Sequence, residues 1–188
     1  MERDSGATKR RLIDAATQEF AARGIAGARV DRIAAAAKSN KAQIYHYFGS
    51  KDALFDTALA DMAAGTVSEV PLDATDLAEY AGRLFDSYER RPWVQRLVTW
   101  YLLERAGSEQ ELMAPVVESN RAKVNAVAAA QKDGLVSDRF SAAELLGLVL
   151  HLSLVWAMSM PEYTAVMGPV DAQSKRQLIV DAVDRLVR

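Results

Sequence analysis

Apolar positions between residues 30 and 48 predict two short helices separated by a tight turn. Four residues share one stripe of the first helix, at i, i+3, i+4 and i+7: Val30, Ile33, Ala34 and Ala37. The polar sequence Lys38-Ser39-Asn40 interrupts this stripe, and Ile44, Tyr47 and Phe48 then form a second apolar face. We interpret the pattern as a helix-turn-helix, an arrangement that reads DNA with its second helix.

Local cap residues predict where these helices begin and end. Asn40 is a good N-cap, and Gln43 three residues later completes a capping box. Gly49 ends the second helix and Ser50 caps the next. The second helix then has about eight residues and a length of roughly 12 Å, which fits the major groove. Lys51 lies at the start of the next helix, where phosphates are favoured.

The remaining pattern predicts further helices and an all-α fold. Gly and Pro total only 15 residues, β-branched runs are scarce and helix-forming residues are common. The expected segments are 7–23 (with Leu12, Ala16 and Phe20 inward), 51–65, 73–90, Pro92 to Gly107, Pro115–Lys132, Ser141 to Pro161, and Asp171 onward. We expect a helix-turn-helix domain over residues 1–51 and a helical domain over residues 52–188.

Charge is distributed unevenly along the chain. The whole sequence carries a net charge of −2, but residues 1–51 hold ten Lys and Arg against five Asp and Glu. A basic N-terminal segment on an otherwise acidic protein is typical of a surface that binds nucleic acid. The alternative is a solvated surface on which the charges are unevenly distributed by chance. Lys9, Arg10 and Arg11 fall at the start of the first expected helix, where they oppose the dipole and favour a phosphate partner.

Two C-terminal segments are apolar beyond a single stripe. Residues 145–160 carry no formal charge over sixteen positions. A membrane span needs about 20 such residues, and this segment also contains His151 and two serines, so we expect it to be buried in protein. The last helix, from Asp171, has apolar residues that also exceed a single stripe: Leu178, Ile179, Ala182, Val183 and Leu186. Two such helices predict a homodimer joined by a four-helix bundle; a larger monomeric core is the alternative.

A long set of residues carries a family resemblance: Ile33-Ala34, Ala37, Ile44-Tyr45-His46-Tyr47-Phe48, Ser50-Lys51 and Leu54-Phe55. Over residues 8 to 56 the chain closely resembles the TetR family of transcriptional regulators. Lys38 departs from the usual Gly of the turn, where a residue with positive φ costs about 1 kcal/mol. Ser39 replaces Val, Asn40 replaces Ser or Thr, and Arg29 replaces the Ser or Thr that often precedes the first helix of the pair.

The resemblance implies a homodimeric, ligand-released repressor on a pseudo-palindromic DNA operator. Tyr45 and Lys51 match family positions that contact phosphate, and Lys41 and Arg29 are further candidates. Gln43 and His46 can reach base edges, and Gln favours adenine. Tyr47 and Phe48 are expected in the core, whereas His46 is either a DNA contact or partly buried surface.

The resemblance also implies a pocket for an unidentified small-molecule effector. The candidate lining residues are Trp93, Trp100, Tyr101, Met113, His151, Trp156 and Met158. Each is otherwise explained as core, because Trp and Met at helical spacing pack interiors. His151 is the one titratable side chain in the apolar segment 145–160, and structural hydrogen bonding is its simpler explanation.

The sequence gives no sign of catalysis, a metal or a cofactor. It has no cysteine and only two histidines, and it lacks H-E-x-x-H, a P-loop and G-x-S-x-G. The absence of an apolar signal core near Met1 favours a cytoplasmic protein. The alternative function is an all-α small-molecule binding protein that has lost DNA binding.

Overall fold

Helices account for all the regular structure that the computed structural model describes, which comprises residues 2–105 and 114–188. These residues form ten helices and no strand, as the all-α prediction requires. The helices are α1 (Glu2–Gly27), α2 (Val30–Ala36), α3 (Lys41–Phe48), α4 (Lys51–Glu69), α5 (Leu77–Arg90), α6 (Pro92–Arg105), α7 (Ala114–Lys132), α8 (Ala142–Leu152), α9 (Pro161–Met167) and α10 (Ala172–Val187).

The described helices pack as two units. The first contains α1 to α3, α4 up to Gly65, and α6; the second contains residues 66–91 and the described chain from Ala114 onward. Because α6 packs with the N-terminal helices, the units do not follow chain order. The functional boundary expected between residues 51 and 52 stays a prediction.

The first unit is built around α1, which packs against α2 and α6. Leu12, Ala16 and Phe20 are fully buried, so the predicted inward stripe of this helix is confirmed. The Phe20 ring meets the Phe55 ring edge to face, with centroids 5.1 Å apart. This contact joins α1 to α4 and fixes the frame that carries α2 and α3.

The second unit is built around α5, α8 and α10, with α7 packed on α8. Tyr80, Leu84, Leu145 and Ile179 are among its fully buried side chains. Burial raises the pKa of Tyr80 to about 12. This core explains why one face each of α8 and α10 is apolar.

Several helix boundaries differ from the sequence prediction. Helix α1 begins at Glu2, five residues before its expected start, and α4 continues to Glu69. The expected end of the first helix at residue 23 is confirmed by the kink at Gly24, after which one further turn reaches Gly27. Helix α5 begins at Leu77, because Asp73 accepts the N–H and hydroxyl of Thr75 in a turn and leaves Asp76 as the cap.

The helix expected from Ser141 to Pro161 is the largest error. Ser141 and Glu144 form the predicted capping box, but α8 ends at Leu152 and turns follow. Pro161 then begins α9, in which no residue is buried. None of the described helices combines the length and the apolarity required to cross a membrane.

Candidate nucleic-acid interface

The turn between α2 and α3 has the geometry that usually calls for glycine. Lys38 has a φ of 51°, the one positive φ of a non-glycine residue among those described. Its N–H donates to Ala35 O at 3.1 Å, and the Ser39 N–H donates to Ala34 O at 2.9 Å. These two bonds complete a Schellman motif, whose left-handed position favours Gly. The chain therefore forms the turn with a non-glycine residue in the left-handed position.

Asn40 begins α3 as predicted, but the capping box is incomplete. The Asn40 carboxamide oxygen accepts the Gln43 N–H at 2.9 Å. The Gln43 side-chain oxygen does not return to the Asn40 N–H, because it accepts the Ser39 hydroxyl instead. This contact fixes the Gln43 side chain beside the turn and leaves its NH₂ group as a hydrogen-bond donor.

The two faces of α3 differ in exposure. Ile44 is fully buried, whereas the Tyr45 side chain is 52% exposed and His46 is also exposed. Tyr47 and Phe48 are half-buried. The Tyr47 hydroxyl lies 3.1 Å from Ser5 Oγ, and the Lys9 ammonium lies 5.9 Å from the centroid of the Phe48 ring. Helix α3 therefore packs its aromatic end on α1 and presents Tyr45 and His46 outward.

Two exposed cations, Lys41 and Arg29, lie near the starts of α3 and α2. The Lys41 ammonium lies 2.6 Å from Asp31 Oδ1, and both side chains are more than half exposed. Arg29 precedes α2 with an exposed side chain, and its backbone N–H, not its guanidinium, donates to Glu19 Oε1 at 3.1 Å. Burial raises the pKa of the Glu19 carboxyl, but hydrogen bonds from Arg32 and the Arg29 N–H bring it below its ordinary value. Arg29 and Lys41 are thus exposed positive charges, one just before α2 and one at the first residue of α3.

Two other cations serve the fold. Arg10 donates to Asp14 and Asp61, which raise its pKa, and Arg11 donates to Thr8 and to Ala37 O. Because α1 begins at Glu2, these arginines do not lie at its start. The argument from the helix dipole for a phosphate partner there was wrong.

Lys51 is half-buried and its ammonium binds backbone. It donates to Ile25 O at 2.7 Å and to Ala28 O at 3.3 Å. Ser50 caps α4 as predicted, by accepting the Ala53 N–H at 3.0 Å. Lys51 therefore fastens the start of α4 to the end of α1, a connection that sequence reasoning missed because the partners are 23 to 26 residues apart.

The residues proposed to line an effector pocket lie in both units. Trp93, Trp100 and Tyr101 are half-buried in α6 of the first unit. In the second unit His151 is exposed and its Nδ1 lies 2.7 Å from Gly147 O, the structural bond expected of a lone histidine. Met113 lies outside the described residues.

Trp156 and the exposed Met158 belong to the turn segment after α8. The Trp156 indole N–H donates to Lys175 O at 3.2 Å, and the Lys175 ammonium lies 5.7 Å from its ring. Trp156 also lines an open surface cavity of about 550 Å³ with the exposed helix α9 and the start of α10. This cavity lies within the second unit and places one predicted ligand residue beside open space.

Comparison with known proteins matches both parts of the chain to one family. Residues 12–58 match the model for bacterial regulatory proteins of the tetR family, and residues 76–185 match the tetracyclin repressor-like C-terminal domain. The chain belongs to the TetR family. The first match covers the helix-turn-helix described above, so this TetR-family protein is a DNA-binding transcriptional regulator.

Individual relatives agree with the assignment over the full length. The chain is 36% identical to the HTH-type transcriptional repressor SCO4008 of Streptomyces coelicolor, covering 98% of this chain and 97% of that protein. The crystal structure of SCO4942, a proposed transcriptional regulator from the same species, superposes with a TM-score of 0.83 at 35% identity, covering 96% and 98% of the two chains. The structure of AibR with isovaleryl coenzyme A and operator DNA shares the fold at a TM-score of 0.70 and 18% identity, covering 93% and 97%.

Proposed function

We propose that this protein is a ligand-released repressor that binds a pseudo-palindromic operator as a homodimer in the cytoplasm. The observation that carries the proposal is the exposed face of α3, which follows a fully hydrogen-bonded turn after α2. The name of SCO4008 as a repressor, at 36% identity over its full length, supports repression as the sign of regulation.

The residues of the interface divide by role. Gln43 and His46 reach base edges from α3, because Gln43 is fixed at the turn and His46 is exposed. Arg29, Lys41 and Tyr45 contact phosphates from exposed positions. Lys51 has two of its three N–H donors on backbone carbonyls, which leaves one donor for a phosphate.

Operator selection tests the DNA-binding half of the proposal. The purified protein is incubated with a library of random-sequence duplexes, and bound duplexes are sequenced over successive rounds. We expect enrichment of an inverted repeat, with an affinity that falls steeply as salt rises. Enrichment of a single unrepeated half-site contradicts the two-fold arrangement.

The dimer interface is proposed on α8 and α10. Leu148 on α8 is 39% exposed and Leu178 on α10 is 54% exposed, although both helices belong to the core of the second unit. A second copy of the chain would cover these leucines in a four-helix bundle. Light scattering of Leu148→Glu and Leu178→Glu should show monomers. Leu135→Glu is the matched control, because Leu135 is 59% exposed but lies outside both helices.

Ligand response is the third part of the proposal. It is supported by the Trp156 cavity in the second unit and by a fold relative whose structure holds both isovaleryl coenzyme A and operator DNA. The test screens small molecules, beginning with short acyl-coenzyme A thioesters, for release of a fluorescent operator. A true effector should release DNA from the wild type and fail with Trp156→Ala at the same concentration. Equal release from both proteins contradicts a site at Trp156.

A further inference from the structure

The segment that leads into the helix-turn-helix begins with a break in α1. Gly24 has φ 72° and ψ 179°, so the three residues after it form a separate helical turn. The first N–H groups of a helical turn have no carbonyl partner one turn earlier. We call residues 24–28 the α1–α2 corner, since α2 starts at Val30.

A single carboxylate on α6 meets the N–H groups of this corner. Glu104 Oε1 accepts the Ile25 N–H at 3.1 Å, and Oε2 accepts the Ala26 N–H at 2.9 Å. A Cβ on Gly24 would lie 2.3 Å from Glu104 Oε1 and 2.7 Å from the Trp100 ring. The corner thus requires glycine for its φ and for the close approach of α6. A carboxylate at the start of a helical turn forms charge-assisted hydrogen bonds along a favourable dipole.

Cations bind the carbonyl groups of the same corner. Lys51 of α4 donates to Ile25 O and Ala28 O, and Arg32 of α2 donates to Gly27 O at 2.8 Å. The N–H groups and the carbonyl groups are therefore held by side chains from three different helices. These bonds fix the direction in which the chain enters α2.

We propose that Glu104 is a positioning residue for DNA binding, which sets the orientation of α2 and α3 through the α1–α2 corner. Glu104 lies within the match to the C-terminal domain and outside the match to the DNA-binding domain, 12–58. It acts on the interface through backbone hydrogen bonds and does not contact DNA. The inference rests on DNA binding, and it requires neither the proposed dimer nor an effector.

The direction in which Glu104→Gln changes the affinity for DNA separates two explanations. Removing any carboxylate makes the protein more positive, which by itself strengthens binding to phosphate. Loss of the corner bonds has the opposite effect, because α3 is then less ordered before it binds. Glu104→Gln should therefore weaken binding, although it removes a negative charge.

The test measures the affinity of Glu104→Gln and Glu104→Ala for the duplex selected by the wild type and for a scrambled duplex of the same length, by fluorescence anisotropy over a range of salt. Glu89→Gln is the matched control, because Glu89 is exposed on α5 and its replacement makes the same change in charge. We expect about tenfold weaker binding of the selected duplex by Glu104→Ala, a smaller loss for Glu104→Gln, and a wild-type salt slope for both. Glu89→Gln should bind equally or more tightly.

Hydrogen exchange gives a second measurement that needs no DNA. The Ile25 and Ala26 amides should exchange faster in both Glu104 variants, at a temperature where circular dichroism shows wild-type helix content. Unchanged exchange at these amides, or Glu104→Gln binding as tightly as wild type, overturns the proposal. If Glu104→Ala does not fold, the isosteric Glu104→Gln decides. A selection that yields no inverted repeat would count against the proposed operator and leave the exchange measurement valid.

Discussion

Replacing Lys38 by glycine should stabilise the protein. Lys38 occupies the left-handed position of the α2–α3 turn with a φ of 51°. Both hydrogen bonds of the Schellman motif are present, at 3.1 and 2.9 Å, so the turn is fully formed around an unfavourable residue. The side chain of Lys38 is exposed, so little packing is lost when it is removed.

The size of the effect follows from two opposing contributions. A Cβ in the left-handed region costs about 1–2 kcal/mol. Glycine gives the unfolded chain more freedom, which removes about 0.4–1 kcal/mol of that gain. We expect Lys38→Gly to raise the free energy of unfolding by about 1 kcal/mol, a rise in Tm of about 2–4 °C for a chain of this length.

Urea and thermal unfolding followed by circular dichroism measure this difference. Lys38→Ala is the matched control, because it removes the charge and the long side chain but keeps the Cβ. Lys38→Ala should be no more stable than wild type, and Lys38→Gly should exceed it. Equal midpoints for the Gly and Ala variants would show that the φ of residue 38 carries no strain, and the reasoning would fail.

Three further predictions concern single side chains. Asp31→Asn should free the Lys41 ammonium from its ion pair and strengthen binding to any duplex a few-fold, since exposed ion pairs are worth about 0.2–1 kcal/mol. Fluorescence anisotropy on selected and scrambled duplexes measures this change in affinity. Gly82→Ala should destabilise by about 1–3 kcal/mol in urea, because its Cβ would lie 2.9 Å from the Arg176 guanidinium. A hydrogen bond from Arg90 lowers the pKa of the Glu69 carboxyl below its ordinary value of 4.5. The ionised Glu69 carboxylate therefore stabilises the fold above pH 4.5, and this stabilisation is lost as pH falls through the lower pKa of the folded state. Glu69→Gln should therefore make the free energy of unfolding fall less steeply with pH on the acid side.

The first two of these predictions have a matched control. Asp14→Asn removes an exposed carboxylate of α1 that pairs with Arg10, and it should strengthen binding less than Asp31→Asn does. Gly6→Ala places a Cβ where nothing lies within 4 Å, so it should stabilise α1 by about 0.5–1 kcal/mol. Equal effects within either pair would contradict the reasoning. If the free energy of unfolding of Glu69→Gln falls with decreasing pH as it does in the wild type, the ion pairs of Glu69 do not contribute to stability.

Several helix starts were predictable because a cap is a local interaction, although α1 and α5 begin away from their expected residues. Asn40, Ser50 and Ser141 each accept an N–H three residues later, as the sequence indicates. Pro92 opens α6 as predicted, and the helix expected from Asp171 begins at Ala172, with Asp171 as its cap. For Asn40, Ser50 and Ser141, the residue type and its spacing from the N–H donor determine the capping hydrogen bond without contacts from the rest of the chain.

Features that depend on distant partners were not predictable. The sequence indicates a helix end at residue 23, but not the Glu104 carboxylate that holds the kink at Gly24, because Glu104 lies 78 and 79 residues beyond the N–H groups that it accepts. Lys51 matches a family phosphate position, yet its carbonyl partners are visible only in the fold. The end of α8 at Leu152 carries no proline or glycine to mark it, so the apolar pattern ran past it.

The central claim is that the exposed face of α3 reads base sequence. The most direct measurement repeats the selection from random duplexes with Gln43→Ala beside the wild type and compares the preference at every position. We predict that Gln43→Ala relaxes the preference at one base pair in each half of an inverted repeat and leaves the other positions unchanged. An unchanged pattern of preference, with or without weaker binding, would contradict the role of α3 as the reading helix through Gln43.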